Sequence, residues 1–393
     1  MPAIHPSETF SSPDSTPQTN GMDAPTRNGI NVPKWKCRQP LEPRGASTMK
    51  ITTVGIDLAK NVFQVHAVDE HGKVALRKQL RRDQMAAFFV NLPPCLIGME
   101  ACGSAHHWAR TLQGFGHTVR LMSPQFVKPY VKSNKNDVAD AEAICEAVTR
   151  PNMRFVPVKS VEQQAVLSLH RARQGFVIAR TAQANQIRSL LGEFGLVIPK
   201  GISHVAKQVP HLLDDASGLL PATFRQLIAR LTEHLKELDK LVDEFEGQIK
   251  AWHRSSELSL RLEKIPGIGP LGASALVASI ADANSFANGR QLSAWLGLVP
   301  RQHSSGGKPT LLGISKRGDV YLRTLLIHGA RSAIVAAQKK AVNTNVWLAR
   351  LLNRRHPNVA AVALANKNVR TVWALLAHGH EFRPGYVSPR LAA

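Results

Sequence analysis

Residues 51–68 read ITTVGIDLAKNVFQVHAV, and this stretch decides the fold. β-Branched and apolar residues fill TTVGID, and they return in VFQVHAV after the polar pair Lys60-Asn61, so two strands joined by a short turn are predicted. Turn residues follow at Glu70-His71-Gly72, and VALRKQL from Val74 supplies a third strand. The pattern then alternates: a helical stretch near 83–91, a strand CLIGME, a helix from Ser104 to Phe115, a strand TVRLM, and helices after Pro124 and Asp137.

A three-stranded antiparallel meander followed by alternating helices and strands is the order of a ribonuclease-H-like α/β domain. Asp57 ends the first strand, so its carboxylate is expected at the strand's carboxyl edge, where open α/β sheets present ligands. Glu100 ends LIGME in the same manner, and parallel neighbouring strands would bring both acids to one edge. Asp137 and Asp140 lie three apart at the start of a helical pattern and therefore share a face. Singly, each acid has a plainer explanation as a helix cap, a solvated strand end or a partner of the helix dipole. Like charges 4 Å apart repel by about 4 kcal/mol at an effective dielectric near 20, so four converging acids imply bound cations. Oxygen-only ligands suggest Mg²⁺, with Mn²⁺ as the alternative, held as a pair suited to phosphate chemistry.

Charge points the same way. Among 393 residues, 50 Lys and Arg face 28 Asp and Glu, a formal net charge of +22 spread along the whole chain. Nucleic acid is the natural partner. Cys37, Cys95, Cys102 and Cys145 have neither C-x-x-C spacing nor a nearby His at finger spacing, so neither a zinc ribbon nor a disulfide framework is indicated. No run of apolar residues is long enough to span a membrane, and the N-terminus lacks the regions of a signal peptide. A soluble, internal protein of a reducing cytoplasm is expected.

Residues 1–48, rich in Pro, Ser, Thr, Asn and Gly, predict a disordered extension, with Met49 as a candidate natural start. The α/β domain is placed at 49–155 and a helical region at 156–257. In the latter, Phe224, Ile228, Leu231, Leu235, Leu238, Val242, Phe245 and Ile249 form a heptad seam. Its partner is either the stretch around 161–192, folded back, or the same helix of another subunit. A mainly helical module is placed at 258–383, with a tail at 384–393. Its Pro266-Gly267-Ile268-Gly269-Pro270 suggests a helix-hairpin-helix element in which Gly267 and Gly269 let backbone N–H groups approach a phosphate, against the alternative of an ordinary turn. The loop Arg301-Gln302-His303-Ser304-Ser305-Gly306-Gly307-Lys308 could hold a phosphate and present a hydroxyl, or be a flexible surface loop. Lys316, Arg317 and Arg323, then Arg350, Arg354 and Arg355, suit backbone contacts to nucleic acid.

Taken together, GIDLAKN at 55–61, GMEACGS at 98–104, KNDVADAEAI at 135–144, PGIGP at 266–270, LGLVPRQHSSGGK at 296–308 and LLGISKRGDVYLR at 311–323 resemble the transposases of the insertion-sequence 110 family, within it the 1111 subgroup. The resemblance covers roughly Lys50 to Arg383. It implies a domain like the Holliday-junction resolvase RuvC, a coiled-coil middle and a C-terminal transposase domain. Metal ligands then fall on Asp57, Glu100, Asp137 and Asp140, and the serine nucleophile on Ser305, with Ser304 as the fallback. It further implies a covalent phosphoserine intermediate in cutting and rejoining DNA, and a structured guide RNA encoded beside the gene that pairs with donor and target DNA. It also implies a dimer that pairs into a tetramer, with the heptad seam as a candidate assembly element. Three readings compete with it: a metal nuclease or junction resolvase using water, a non-enzymatic DNA-binding protein, and an actin-like ATPase. The last is weakest, because Leu58-Ala59-Lys60 lacks the glycine and hydroxyl residue of such a phosphate loop.

Overall fold

The structure, a computed structural model, describes residues 50–132, 136–214, 220–340 and 346–384. The expected extension over 1–48 lies outside these residues, as does the tail apart from Pro384.

The meander forms from β1 (Thr53–Leu58), β2 (Val62–Val68) and β3 (Val74–Arg81), paired antiparallel in succession. On the other side of β1, β4 (Leu96–Glu100) and β5 (Thr118–Met122) join in parallel. A two-residue strand that sequence patterning did not reveal, β6 (Phe155–Val156), closes the sheet antiparallel. The order is β3-β2-β1-β4-β5-β6. Four helices accompany it: α1 (Gln84–Val90), α2 (Ala105–Gly114), α3 (Pro124–Val127) and α4 (Asp137–Val148).

Alternation along the strands separates two faces. Val54, Ile56, Phe63, Val65, Ile97 and Met99 point one way and bury against Phe89 of α1 and Trp108 and Leu112 of α2. Gly55, Asp57, Gly98 and Glu100 point the other way, toward α4. That helix lies almost on the backbone of β1: a Cβ at Gly55 would stand 2.3 Å from the Ala141 carbonyl oxygen and 2.4 Å from the Cys145 nitrogen. At Gly98, a Cβ would stand 2.8 Å from Cβ of Val148.

The heptad seam finds its partner within the chain. α5 (Val161–Gly192) and, after α6 (Ile202–Asp214), α7 (Ala222–Ser255) pack as an antiparallel pair. Arg173 bonds Glu246 at 2.7 Å, Arg180 bonds Asp239 at 2.9 Å, and Phe194 stacks on Phe224 at 4.0 Å, so rising numbers on one helix meet falling numbers on the other. Ile228, Leu235, Leu238, Val242 and Ile249 are buried. The seam is therefore filled by α5, not left for another subunit.

The remainder is built from α8 (Glu257–Glu263), α9 (Pro270–Ser279), α10 (Gly289–Trp295), a hairpin of β7 (Pro300–Gln302) and β8 (Leu311–Ile314), α11 (Val320–Lys340), α12 (Val346–Leu352) and α13 (Pro357–His378). Leu276, Leu292, Leu296, Leu326, Val369 and Val372 form its core. Among the described residues no helix is long and apolar enough to cross a membrane.

Gly55→Val should push α4 off β1 and cost about 3 kcal/mol, the upper range for overpacking a core. Gly175→Ala, inside α5 with open space where its Cβ would go, should instead stabilise by roughly 0.5–1 kcal/mol. Urea denaturation of the two variants checks both signs.

Candidate active site

Strand register places the first two acids. Ile56 pairs with Met99 across the parallel β1–β4 ladder, so the next step along each strand brings Asp57 beside Glu100, on the face that α4 covers. Both are half-buried. The Cys102 thiol, exposed just beyond β4, is raised above its usual range, first by burial of its sulfur and then by the negative charges of Glu100 and Asp57. Cys95 and Cys145, by contrast, are buried, and burial pushes them up to about 11 and about 12.

The third and fourth acids open α4. Asn136 caps that helix by accepting from the Ala139 N–H at 2.7 Å, and Asp137 and Asp140 occupy its first turn, where the helix dipole favours negative charge. Asp140 is half-buried and immediately precedes Ala141, the residue resting on Gly55. Asp137 is exposed and lines a cleft of about 590 Å³ together with Gln64, Gln79, Arg77 and Glu142. Gln64 is the cross-strand partner of Asp57 and Gln79 the partner of Gln64, so Asp137 lies over the same row of the sheet as Asp57.

Carboxylate oxygens alone suit a hard divalent cation, and all four acids lie on one side of one sheet. Among the described residues no three His, Cys, Asp or Glu side chains stand close enough to share an ion. The four thus fit in donor type and in face, and their gathering around a cation requires side-chain movement.

The serine loop is no floppy excursion. Residues 300–313 are all exposed, yet they form a hairpin whose tip is a tight turn, Ser305-Gly306-Gly307-Lys308. Lys308 N–H donates to the Ser305 carbonyl at 3.1 Å, and φ is 55° at Gly306 and 75° at Gly307, as a type I′ turn demands. Ser304 Oγ accepts from Gln302 Nε2 at 2.9 Å, whereas Ser305 takes the first position of the turn.

The base of the hairpin is locked by close backbone contact. Cβ atoms at Gly297 and Gly318 would stand 2.1 Å from the Arg317 carbonyl oxygen and 1.9 Å from that of Trp295. Arg323 corrects an expectation here. It is buried, and its Nη1 donates to the carbonyls of Leu296 and Arg317 at 3.2 and 3.0 Å, so it is an internal brace and not a surface cation for phosphate. Arg301, Lys308, Lys316 and Arg317 are exposed around the hairpin, as a phosphate-binding role requires.

Gly267 also has a packing role that the sequence did not reveal. Its φ is 92°, and it abuts Gly329 of α11, where a Cβ would stand 1.9 Å from the Gly267 carbonyl oxygen. Close helix packing explains this glycine. Gly269 is the N-cap residue of α9, with open space beside it.

Sequence reasoning missed Cys102 and Gln64. Cys102 stood inside the GMEACGS motif but was weighed only for zinc or disulfide spacing, not for its nearness to the acids; Gln64 becomes legible only once the β1–β2 register is fixed.

Residues 259–344 match the family described as Transposase IS116/IS110/IS902, and residues 54–195 match the DEDD transposase family of IS110. A protein of Pseudomonas aeruginosa named "Probable family 20 transposase" is 54% identical over 338 residues, covering 86% of this chain and 100% of its own length. The transposase for insertion sequence element IS1111A of Coxiella burnetii is 45% identical over 365 residues, covering 93% and 100%. The transposase for insertion sequence element IS1328 of Yersinia enterocolitica is 43% identical over 332 residues, covering 84% and 98%.

Gly306→Asn keeps a residue type that tolerates positive φ, ahead of Gly307, and should preserve the hairpin; Gly306→Val should not. Because the hairpin is exposed, the melting temperatures of the two should agree within a few degrees. The backbone NMR shifts of residues 303–310 should move from native values only in Gly306→Val.

Proposed function

The chain belongs to the IS116/IS110/IS902 family of transposases, enzymes that cleave DNA and transfer its strands, and on that premise we propose that it works through a covalent phosphoserine intermediate. Ser305 Oγ attacks a backbone phosphorus, an O–P bond forms as the bond to the deoxyribose oxygen breaks, and the serine's proton ends on that oxygen. The reverse reaction with a different strand end rejoins DNA, because a serine ester keeps the bond energy that hydrolysis would lose. The observation that carries the reading is the placement of Asp57, Glu100, Asp137 and Asp140 on one side of one sheet.

In this reading 49–155 is a RuvC-like, ribonuclease-H-like domain, 156–257 the helical middle and 258–383 the serine-bearing domain. The strand order, with an antiparallel meander and two parallel additions, supports the first assignment. Asp57, Glu100, Asp137 and Asp140 would hold Mg²⁺, or Mn²⁺ in its place. When bound, a divalent pair neutralises charge on the reacting phosphate. Ser305 is favoured over Ser304, whose hydroxyl is already engaged by Gln302. Arg301 and Lys308 flank the serine and suit adjoining phosphates.

Exposure of the whole serine hairpin supports a composite site in which one subunit's serine meets another's acids, within a dimer that pairs into a tetramer. With the heptad seam filled internally, assembly uses other surfaces. Target choice is assigned to a structured RNA encoded beside the gene, pairing with donor and target DNA while the protein reads charge and shape.

Incubation with labelled target DNA, Mg²⁺ and co-purified RNA, followed by denaturing electrophoresis, tests the mechanism. Wild type and Ser304→Ala should yield a protein–DNA adduct that survives denaturation, and Ser305→Ala none. Asp57→Asn should bind DNA yet cut it at least 100-fold more slowly. Full cleavage by Ser305→Ala would sink the serine mechanism and return the protein to water-based nuclease chemistry.

A further inference from the structure

A second cluster of charge lies well outside the residues assigned so far, at the joint between the sheet and the helical remainder. Lys159 sits in the segment joining β6 to α5, directly before the α5 cap residue Ser160. It lines a cleft of about 570 Å³ together with Arg110 of α2, Arg120 of β5 and, from the C-terminal part, Asp282. Arg110 Nη1 donates to the Lys159 carbonyl, and Arg120 stacks over Phe155 at 4.7 Å. Arg171, one α5 surface further on, lies close enough for its charge to act on both Lys159 and His106.

Hydrogen-bond logic at His106 shows what the cluster lacks. The Lys159 backbone N–H lies 3.2 Å from His106 Nδ1, and an amide only donates, so Nδ1 accepts and the ring proton sits on Nε2. That Nε2–H faces Lys159 Nζ, also at 3.2 Å. Two donors therefore point at one another. Burial, reinforced by Lys159, Arg110 and Arg171, holds His106 down at about 4, so the ring stays neutral at physiological pH. Lys159 itself is lowered, by burial first and then by Arg171, and Asp319 opposes that shift. The two carboxylates within reach have other work. Asp282 accepts from Asn284 N–H and Ser285 Oγ, and Asp319 accepts from Leu322 N–H at the start of α11.

Four cations thus gather beside two carboxylates that already accept other hydrogen bonds, and at their centre Lys159 Nζ and His106 Nε2–H meet donor to donor. We infer that this joint is a phosphodiester-binding site, at which Lys159, with Arg110, Arg120 and Arg171, receives the DNA backbone as it runs between the acid-bearing sheet and the serine-bearing part. A phosphate oxygen would accept from Lys159 Nζ and His106 Nε2–H together and relieve their opposition. The direction of the strand rests on the function proposed above; the anion site does not.

Salt-dependent binding of the full-length protein to duplex DNA, read by fluorescence anisotropy on two unrelated sequences, tests it. Lys159→Met removes charge at nearly the same length, and Arg171→Gln removes charge on an exposed position. Each should weaken both sequences equally and reduce the log–log salt slope by about 0.9, and the double variant by about 1.8. Lys159→Met should melt no lower than wild type, since it removes a desolvated cation. An unchanged slope, or a fall in melting temperature with the slope intact, overturns the proposal. Weakened binding to RNA alone overturns the assignment to DNA. The same titration on Ser305→Ala should keep the wild-type slope, so failure of the serine mechanism and failure of this site are read separately.

Discussion

Backbone lies on backbone where α4 crosses β1, and that contact sets the position of every acid. Gly55 leaves the Ala141 carbonyl and the Cys145 amide in the space its own Cβ would occupy, and Gly98 does the same for Val148. Two residues beyond each glycine, on the same face, stand Asp57 and Glu100. One residue before Ala141 stands Asp140. A helix held off by the diameter of even one methyl group would carry its first turn away from the sheet edge and with it half of the acid set. This arrangement is opposed by mutual repulsion of the converging carboxylates. It is held from the opposite face, by the apolar layer of Ile56, Phe63, Ile97 and Met99 against α1 and α2, and from its own end by the Asn136 cap.

The C-terminal part repeats the device for another purpose. Gly267 against Gly329, Gly297 against Arg317 and Gly318 against Trp295 bring main chain to main chain, and Arg323 fastens the loop from within. The hairpin that emerges from this base carries no packing of its own, so its order derives from the turn geometry at Gly306-Gly307 and from the locked base. An exposed hydroxyl can be held with little conformational freedom in this way and still remain open to a large substrate.

Much of this was legible in the sequence, and the exceptions share a cause. Strand and helix periodicity gave the meander, the strand ends at Asp57 and Glu100, and the helix start at Asp137, because burial of one face imposes period 2 or 3.6 on the residues themselves. The heptad seam of α7 was equally plain, but its partner was not: the buried face of α5 mixes Val166, Ile187 and Leu191 with His170, Gln183 and Ala184, and antiparallel pairing rests on Arg173–Glu246 and Arg180–Asp239 as well as on apolar contact. The loop after Arg301 read as either a phosphate-holding loop or a flexible one because Ser and Gly are compatible with disorder and with a type I′ turn alike; the bridge between Ser305 and Lys308 shows the turn. The burial of Arg323 and the contact of Gly267 with Gly329 could not be read from composition, since an arginine near a basic loop and a glycine near a helix start look the same whether they meet solvent or protein.

His170 explains how these parts act as one body. Buried in α5, it is held down to about 4 by desolvation and is therefore neutral. Ser274 donates its hydroxyl proton to the Pro270 carbonyl at 2.7 Å, so His170 Nε2–H must donate to Ser274 Oγ at 3.1 Å, leaving Nδ1 to accept from the Tyr321 hydroxyl at 2.9 Å. Each polar atom in this chain has one possible role, and displacing α5 from α9 or α11 would strand a buried donor or acceptor at a cost of about 1–3 kcal/mol. Tyr321 lies two residues after Asp319 and four after Arg317, so the network that anchors α5 also anchors the base of the serine hairpin. α5 starts at Val161, two residues after Lys159. A single helix thereby fixes the cationic joint and the serine-bearing core in one frame, and the segment from Thr149 to Ser160 becomes the stretch along which that frame meets the acid-bearing sheet.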